Sequence, residues 1–195
     1  MSELNCGFQD REMLDVVDVF GVPTGEIADK NTIHAKGVRH RDVHIWATNG
    51  QDMLQQQRAW DKDIMPGEWD ISAAGHVNAG ESYLNAAQRE AKEELDLDLP
   101  PAEFIWAGLY ASSLLLPGWE RPHNVVGANY VVVVPELDLD GLTLQEEEVV
   151  DVRWYPIDQL EQDLIRSETA LKHASQPLDL YALGIDAMRR AISAK

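Results

Sequence analysis

The chain has one cysteine, Cys6, in 195 residues. A lone thiol closes neither an internal disulfide nor a CxxC pair, which excludes a disulfide scaffold and dithiol redox chemistry. Basic residues are scarce as well: 16 Lys and Arg stand against 34 Asp and Glu, a formal net charge of −18. Adhesion to nucleic acid polymers or to anionic membrane needs basic patches that displace counterions, so neither is an expected partner. A small phosphorylated ligand stays open if local cations or a metal ion overcome the repulsion. Long apolar runs are missing too, none approaching the roughly 18 residues of a membrane span. The opening stretch MSELNCGFQDREMLD has acidic and polar groups where a secretory leader has a basic segment and then an apolar one. These absences lead us to expect a soluble, cytoplasmic protein. With no internal repeat or low-complexity linker, one domain is the simplest organisation.

What is present suffices for a buried core, since 45% of the residues are hydrophobic. Residues 14–20 alternate apolar with acidic side chains and lead into GVPTG at 21–25, the pattern of a strand and hairpin turn. Strands are expected over 43–48 and 53–58, joined through Asn49-Gly50, and an extended stretch over 68–74. Over 82–95 the period changes: Leu84, Ala87, Ala91 and Leu95 recur at helical spacing. Strands follow over 104–110, 128–134 and 149–155, then helices over 157–165 and 178–194. Strands and helices without a regular βαβ rhythm point to an α/β sandwich with a mixed sheet.

On the helix over 82–95, Glu90, Glu93 and Glu94 stand at i, i+3 and i+4, one face of a single turn. Three like charges so close are costly unless a positive group lies among them, and a hard divalent cation is the natural one. The plainer alternative is a solvated acidic helix face. The frame around the glutamates decides between them. The stretch GHVNAGESYLNAAQREAKEELDL at 75–97 has the spacing G-x5-E-x7-R-E-U-x-E-E and resembles the Nudix box of the Nudix hydrolase superfamily. The resemblance implies a Nudix-type α/β/α sandwich with a mixed β-sheet. It implies that Gly75 opens the loop, that Glu81 pairs with Arg89 to brace loop against helix, and that Glu90, Glu93 and Glu94 bind catalytic Mg²⁺, with Mn²⁺ as a substitute. Asp96 stands where the family pattern has glycine as a left-handed helix stop. Asp tolerates that backbone region better than most residues, so the helix exit is expected to survive.

Upstream, HAKGVRHRDVHIW at 34–46 and RAWDK at 58–62 are similar to the subgroup related to isopentenyl-diphosphate isomerase, and the likeness covers roughly 13–160. The isomerase needs a cysteine before the loop glycine, and Ala74 stands there. A methyl group is neither nucleophile, acid nor base, which disfavours proton transfer at carbon. The isomerase metal histidines match His34, His40 and His76, but its later Glu-x-Glu pair has no counterpart over 124–130. A histidine beside a strand is more often a surface or hydrogen-bonded core group, so these three are not assigned to a metal. Arg58 and Lys62 match positions that bind the diphosphate; the alternative is two surface cations.

The expected organisation is a single Nudix hydrolase domain over 1–195, with an N-terminal hairpin extension at 1–35 and C-terminal helices at 157–195. The expected activity is Mg²⁺-dependent cleavage of the diphosphate of a small molecule, a nucleoside diphosphate linked to another moiety. The resemblance makes Glu81, Arg89, Glu93 and Glu94 the expected catalytic group, with Glu93, Glu94 or Glu147 as the general base. A non-catalytic nucleotide-metabolite sensor is the rival from another class. The apolar segment 112–124, with Leu114 to Leu116 and Trp119, serves either as a substrate lid or as a homodimer contact. Trp46, Trp60 and Tyr110 either stack on a base or belong to the core.

Overall fold

The computed structural model describes residues 12–62, 64–166 and 176–194. Cys6, the first part of the N-terminal extension and 167–175 of the C-terminal stretch lie outside them. The chain opens with strands β1 (Met13–Val17) and β2 (Pro23–Asp29), an antiparallel pair of their own. Helix α1 (Lys30–Lys36) follows, with the Asp29 side chain accepting from Thr32 N at its start and Gly37 in the left-handed region at its end. The large sheet contains β3 (His40–Thr48), β4 (Asp52–Arg58), β5 (Trp69–Asp70), β6 (Ala73–His76), β7 (Ile105–Leu114), β8 (His123–Val133) and β9 (Val149–Pro156). Helix α2 (Tyr83–Leu95) lies between β6 and β7, and α3 (Ile157–Ile165) and α4 (Leu178–Ser193) close the described chain.

The sheet is mixed. β3 runs parallel to β8 from His40 opposite Val125 to Thr48 opposite Val133, while β6 pairs antiparallel with β3, β7 with β8, and β9 with β4. All nine residues of β3 are buried, because helices cover both faces of the sheet. The two-residue period divides them: Val43, Ile45 and Ala47 join Ala128, Tyr130 and Val132 against Ala86, Ala87, Ala91 and Leu95 of α2. Trp46 and Val131 face the other way, onto Leu160 of α3 and Leu180, Tyr181, Ile185 and Met188 of α4. The result is the expected α/β/α sandwich. Gly184 sits in mid-helix because a Cβ there would come within 2.4 Å of the Trp46 ring. Trp46 is fully buried and donates from Nε1 to Asn129 Oδ1 at 3.0 Å, which makes it a core residue and not a base-stacking one.

Several boundaries differ from the sequence reading. The first hairpin turns at 18–22, where Asp18 caps the Phe20 and Val22 amides, so Gly25 belongs to β2 and not to the turn. The extended stretch at 68–74 is two short strands that pair with different partners. β8 begins five residues before the expected 128 and β7 continues to Leu114, which shortens the connection between them to 115–122.

Candidate active site

β6 runs antiparallel to β3 and delivers the chain to the loop before α2. Ser82 caps that helix by accepting from Asn85 N at 3.2 Å. At the far end Asp96 adopts φ 54° and ψ 25°, and the amides beyond the last turn return to Ala91 O and Lys92 O. The left-handed exit is therefore made by Asp, as expected.

Glu81 folds back on the loop: its carboxylate accepts from Asn78 N at 3.0 Å and from Arg89 Nε and Nη2 at 3.2 and 3.1 Å. Arg89 does more than the resemblance implied. Its Nη2 also donates to His76 O at 2.9 Å, and its Nη1 reaches Glu90 Oε1 at 2.6 Å and Glu93 Oε2 at 3.1 Å. The positive group among the glutamates is thus the arginine. Glu94 turns elsewhere, its Oε2 accepting from Gln56 Nε2 and Ala74 N, each at 3.2 Å. All three carboxylates line one cavity. Glu90 and Glu94 are buried, whereas the Glu93 side chain is 51% exposed. Burial raises the proton affinity of Glu94 well above the carboxylate norm, and the Glu90 charge raises it further. Glu90 is raised by burial too, against the pull of Arg89.

A hard divalent ion fits this donor set. The ligands on offer are carboxylate oxygens, joined by Gln56 Oε1, a buried amide oxygen without a partner. Glu94 is a buried carboxyl whose charge a cation would stabilise. Gly75 forms the floor: a Cβ there would stand 2.1 Å from Glu90 Oε1, so only glycine leaves room for that carboxylate. Gly75 thus makes room for the Glu90 carboxylate; it lies within β6, opposite Val43, just before the loop that leads to α2.

The cavity measures about 990 Å³ and extends well beyond the glutamates. Arg58 and Lys62 line it, but each is engaged: Arg58 with Ile64 O and Asp70, Lys62 with Glu148. Glu147 lies on its rim and is exposed. Leu114, Leu116 and Trp119 face the cavity from the 112–124 segment, as does Tyr110, whose hydroxyl donates to Asp179 Oδ1 at 2.6 Å. Trp60 is 70% exposed and is absent from the wall, lying against Gly67 instead.

The sequence reading missed His123. It stands at the start of β8 with its ring 5.2 Å from that of His34 and 5.0 Å from that of His40, on the same cavity as His76. No local spacing links a residue to partners more than forty positions away; only the parallel register of β3 and β8 brings them together. Burial first, and the charge of His76 among neighbouring cations, bring His34, His40 and His123 down to about 3, so these rings are neutral.

The NUDIX domain family matches residues 38–175, and the chain belongs to the Nudix family. Nudix hydrolase 3 of Arabidopsis thaliana is 35% identical over 162 residues, 82% of this chain but 21% of its own length. The chain therefore spans about a fifth of that relative. An isopentenyl-diphosphate Delta-isomerase of Escherichia coli is 28% identical over 144 residues, 73% of this chain and 76% of its own. Among solved structures, a Deinococcus radiodurans protein superposes with a TM-score of 0.62 at 18% identity, covering 90% of this chain and 99% of that one, a likeness of fold.

Proposed function

We propose that this Nudix hydrolase uses Mg²⁺ to cleave the diphosphate of a nucleoside diphosphate linked to a second moiety. The observation that carries the reading is the pairing of Glu81 with Arg89 behind Glu90, Glu93 and Glu94, at the wall of a cavity large enough for such a substrate. Glu90, Glu93 and Glu94 would hold the ion, which when bound would supply charge neutralisation at the diphosphate and a water of lowered pKa. The protein's own part is positional. Glu81 keeps Arg89 against the loop, Gly75 leaves space for the Glu90 carboxylate, and Gln56 and the Ala74 amide hold Glu94. Water adds to one phosphorus as the bridging P–O bond breaks, giving a nucleoside monophosphate and the phosphorylated second moiety. Glu93 and Glu147, both open to the cavity, are the groups proposed to take the water's proton. Lys62 and Arg58 meet the phosphates once their acidic partners release them.

Ala74 favours hydrolysis over isomerisation, since its methyl group has no proton to give at the position before Gly75. The reading also places the enzyme in the cytoplasm as one domain; none of the described helices is long and apolar enough to cross a membrane. The test is Mg²⁺-dependent turnover, followed as the nucleoside monophosphate and its phosphorylated co-product by chromatography or as phosphate freed after pyrophosphatase or phosphatase treatment where needed, across nucleoside triphosphates, nucleotide sugars, dinucleoside polyphosphates, NADH, ADP-ribose and prenyl diphosphates. Turnover of one class, lost in Glu93→Gln or Glu94→Gln, is the expected result. Binding without turnover would make the protein a sensor, and an allylic product from isopentenyl diphosphate would make it an isomerase.

A further inference from the structure

We propose that His34, His40, His76 and His123 form a closed, all-imidazole site for one late first-row transition metal ion of the zinc class, distinct in chemistry from the carboxylate turn on the same cavity. One ring nitrogen from each lies within 4.8 Å of the others. The four come from four elements: α1, the start of β3, the end of β6 and the start of β8. His34 Nε2 and His76 Nε2 stand 3.2 Å apart, close to the edge of about 3.3 Å that two nitrogens subtend around a tetrahedral Zn²⁺ at 2.0–2.1 Å.

The outward nitrogens explain the inward ones. His40 Nδ1–H donates to Val38 O at 3.1 Å, which leaves Nε2 as a lone pair. That atom is buried and has no hydrogen-bond partner; the nearest carboxylate, Asp42 Oδ1, is at 3.6 Å and is itself unpartnered. His76 Nδ1 binds Glu12 Oε1 at 2.9 Å, and Lys30 holds the other Glu12 oxygen at 2.9 Å. A carboxylate or a carbonyl behind the ring, fixing the tautomer and aiming the other nitrogen, is the support that metal-bound histidines commonly have. Without an ion, an inward lone pair on His40 is a desolvated acceptor that gains nothing.

The donor set selects the metal. Imidazole nitrogen suits zinc and its neighbours, whereas Mg²⁺ takes oxygen. The isomerase resemblance reaches three of these histidines. Here His123 joins them and no Glu-x-Glu pair does, so the set offered is four imidazoles. The Trp119 ring lies 4.9 Å from His34 and 5.8 Å from His123, covering the cluster from the 115–122 connection. Four protein ligands under such a cover make a structural site, without the open position a catalytic ion keeps. The ion would fasten α1 to β3, β6 and β8 at the cavity wall.

The untagged full chain, stripped with chelator and dialysed against one equivalent of Zn²⁺ in excess Mg²⁺, is expected to retain one zinc per chain by elemental analysis. Co²⁺ in its place is expected to show the intense visible bands of a tetrahedral ion. His34→Gln and His123→Gln, checked for native circular dichroism, should each weaken zinc at least about 100-fold. Should either variant fail to fold, the cobalt spectrum of the wild type decides alone. Glu93→Gln should retain zinc fully, which separates this site from the hydrolytic one. No retained zinc, a weak octahedral cobalt spectrum, or undiminished affinity in folded His123→Gln would each overturn the proposal.

Discussion

Substituting Gly75 by Ala perturbs the Glu90 carboxylate and the Arg89 guanidinium that holds it. The backbone of Gly75 lies outside the left-handed region, so alanine is tolerated conformationally. The added Cβ would, however, sit 2.1 Å from Glu90 Oε1 and 2.2 Å from its Cδ. The tip of the Glu90 side chain is flexible and must retreat by about 1 Å to reach van der Waals contact. Its Oε1 is also held by Arg89 at 2.6 Å, so the guanidinium is displaced with it. Misplacing a ligand group on this scale costs roughly 10- to 100-fold in metal affinity, about 1.4–2.7 kcal/mol. Mn²⁺ binding followed by electron paramagnetic resonance, with rate against free Mg²⁺ on a turned-over substrate, measures the loss. A melting temperature within a few degrees of wild type confirms that the fold is kept. If Gly75→Ala binds Mn²⁺ and responds to Mg²⁺ as wild type does, the Glu90 carboxylate is not where the ion sits.

Arg89→Gln removes the group that holds Glu81, Glu90, Glu93 and the His76 carbonyl. Losing these charge-assisted bonds should destabilise the chelator-treated protein by about 1.5–3 kcal/mol, and Mg²⁺ should restore more stability than it adds to wild type. Equal Mg²⁺ shifts in differential scanning fluorimetry would refute this. His44 is buried against Gly127, and burial lowers its pKa to about 4 from an ordinary value of 6.5. The unfolded chain then takes up a proton near pH 6.5 that the folded chain refuses until about pH 4, so stability falls as the pH falls through that window. Between pH 7 and 5 the contribution is about 2 kcal/mol. Urea unfolding at both pH values should show His44→Gln with that much less acid sensitivity; an unchanged difference would mean that His44 is not held neutral.

The legible parts of this protein were local. The helix carrying the glutamates could be read because Ser82, the period of Leu84, Ala87, Ala91 and Leu95, and the departure at Asp96 lie within one continuous stretch. Helix α1 could not. It buries only Ile33 and presents no apolar stripe, and is held by caps at Asp29 and Gly37. The apolar run marks β8 only from 128, whereas the strand begins at His123, whose ring joins the histidine cluster, and the next residue, Asn124, donates to Gly37 O. Helical spacing placed Glu90, Glu93 and Glu94 on one face but carried no information about Arg89 Nη1 lying between two of them. Nor could it show that Gln56, from a strand 38 positions away, holds the third. Sites assembled by strand order are set by tertiary register, which no window along the chain contains.

The central claim is that the turn bearing Glu90, Glu93 and Glu94 gathers a hard divalent ion. Crystals soaked in Mn²⁺ and measured at the manganese absorption edge test it directly. An anomalous peak among those three carboxylates, with the Arg89 Nη1 contacts to Glu90 and Glu93 exchanged for the ion, is the result this account requires. Carboxylates still clasping Arg89, with no peak beside them at saturating Mn²⁺, would contradict it.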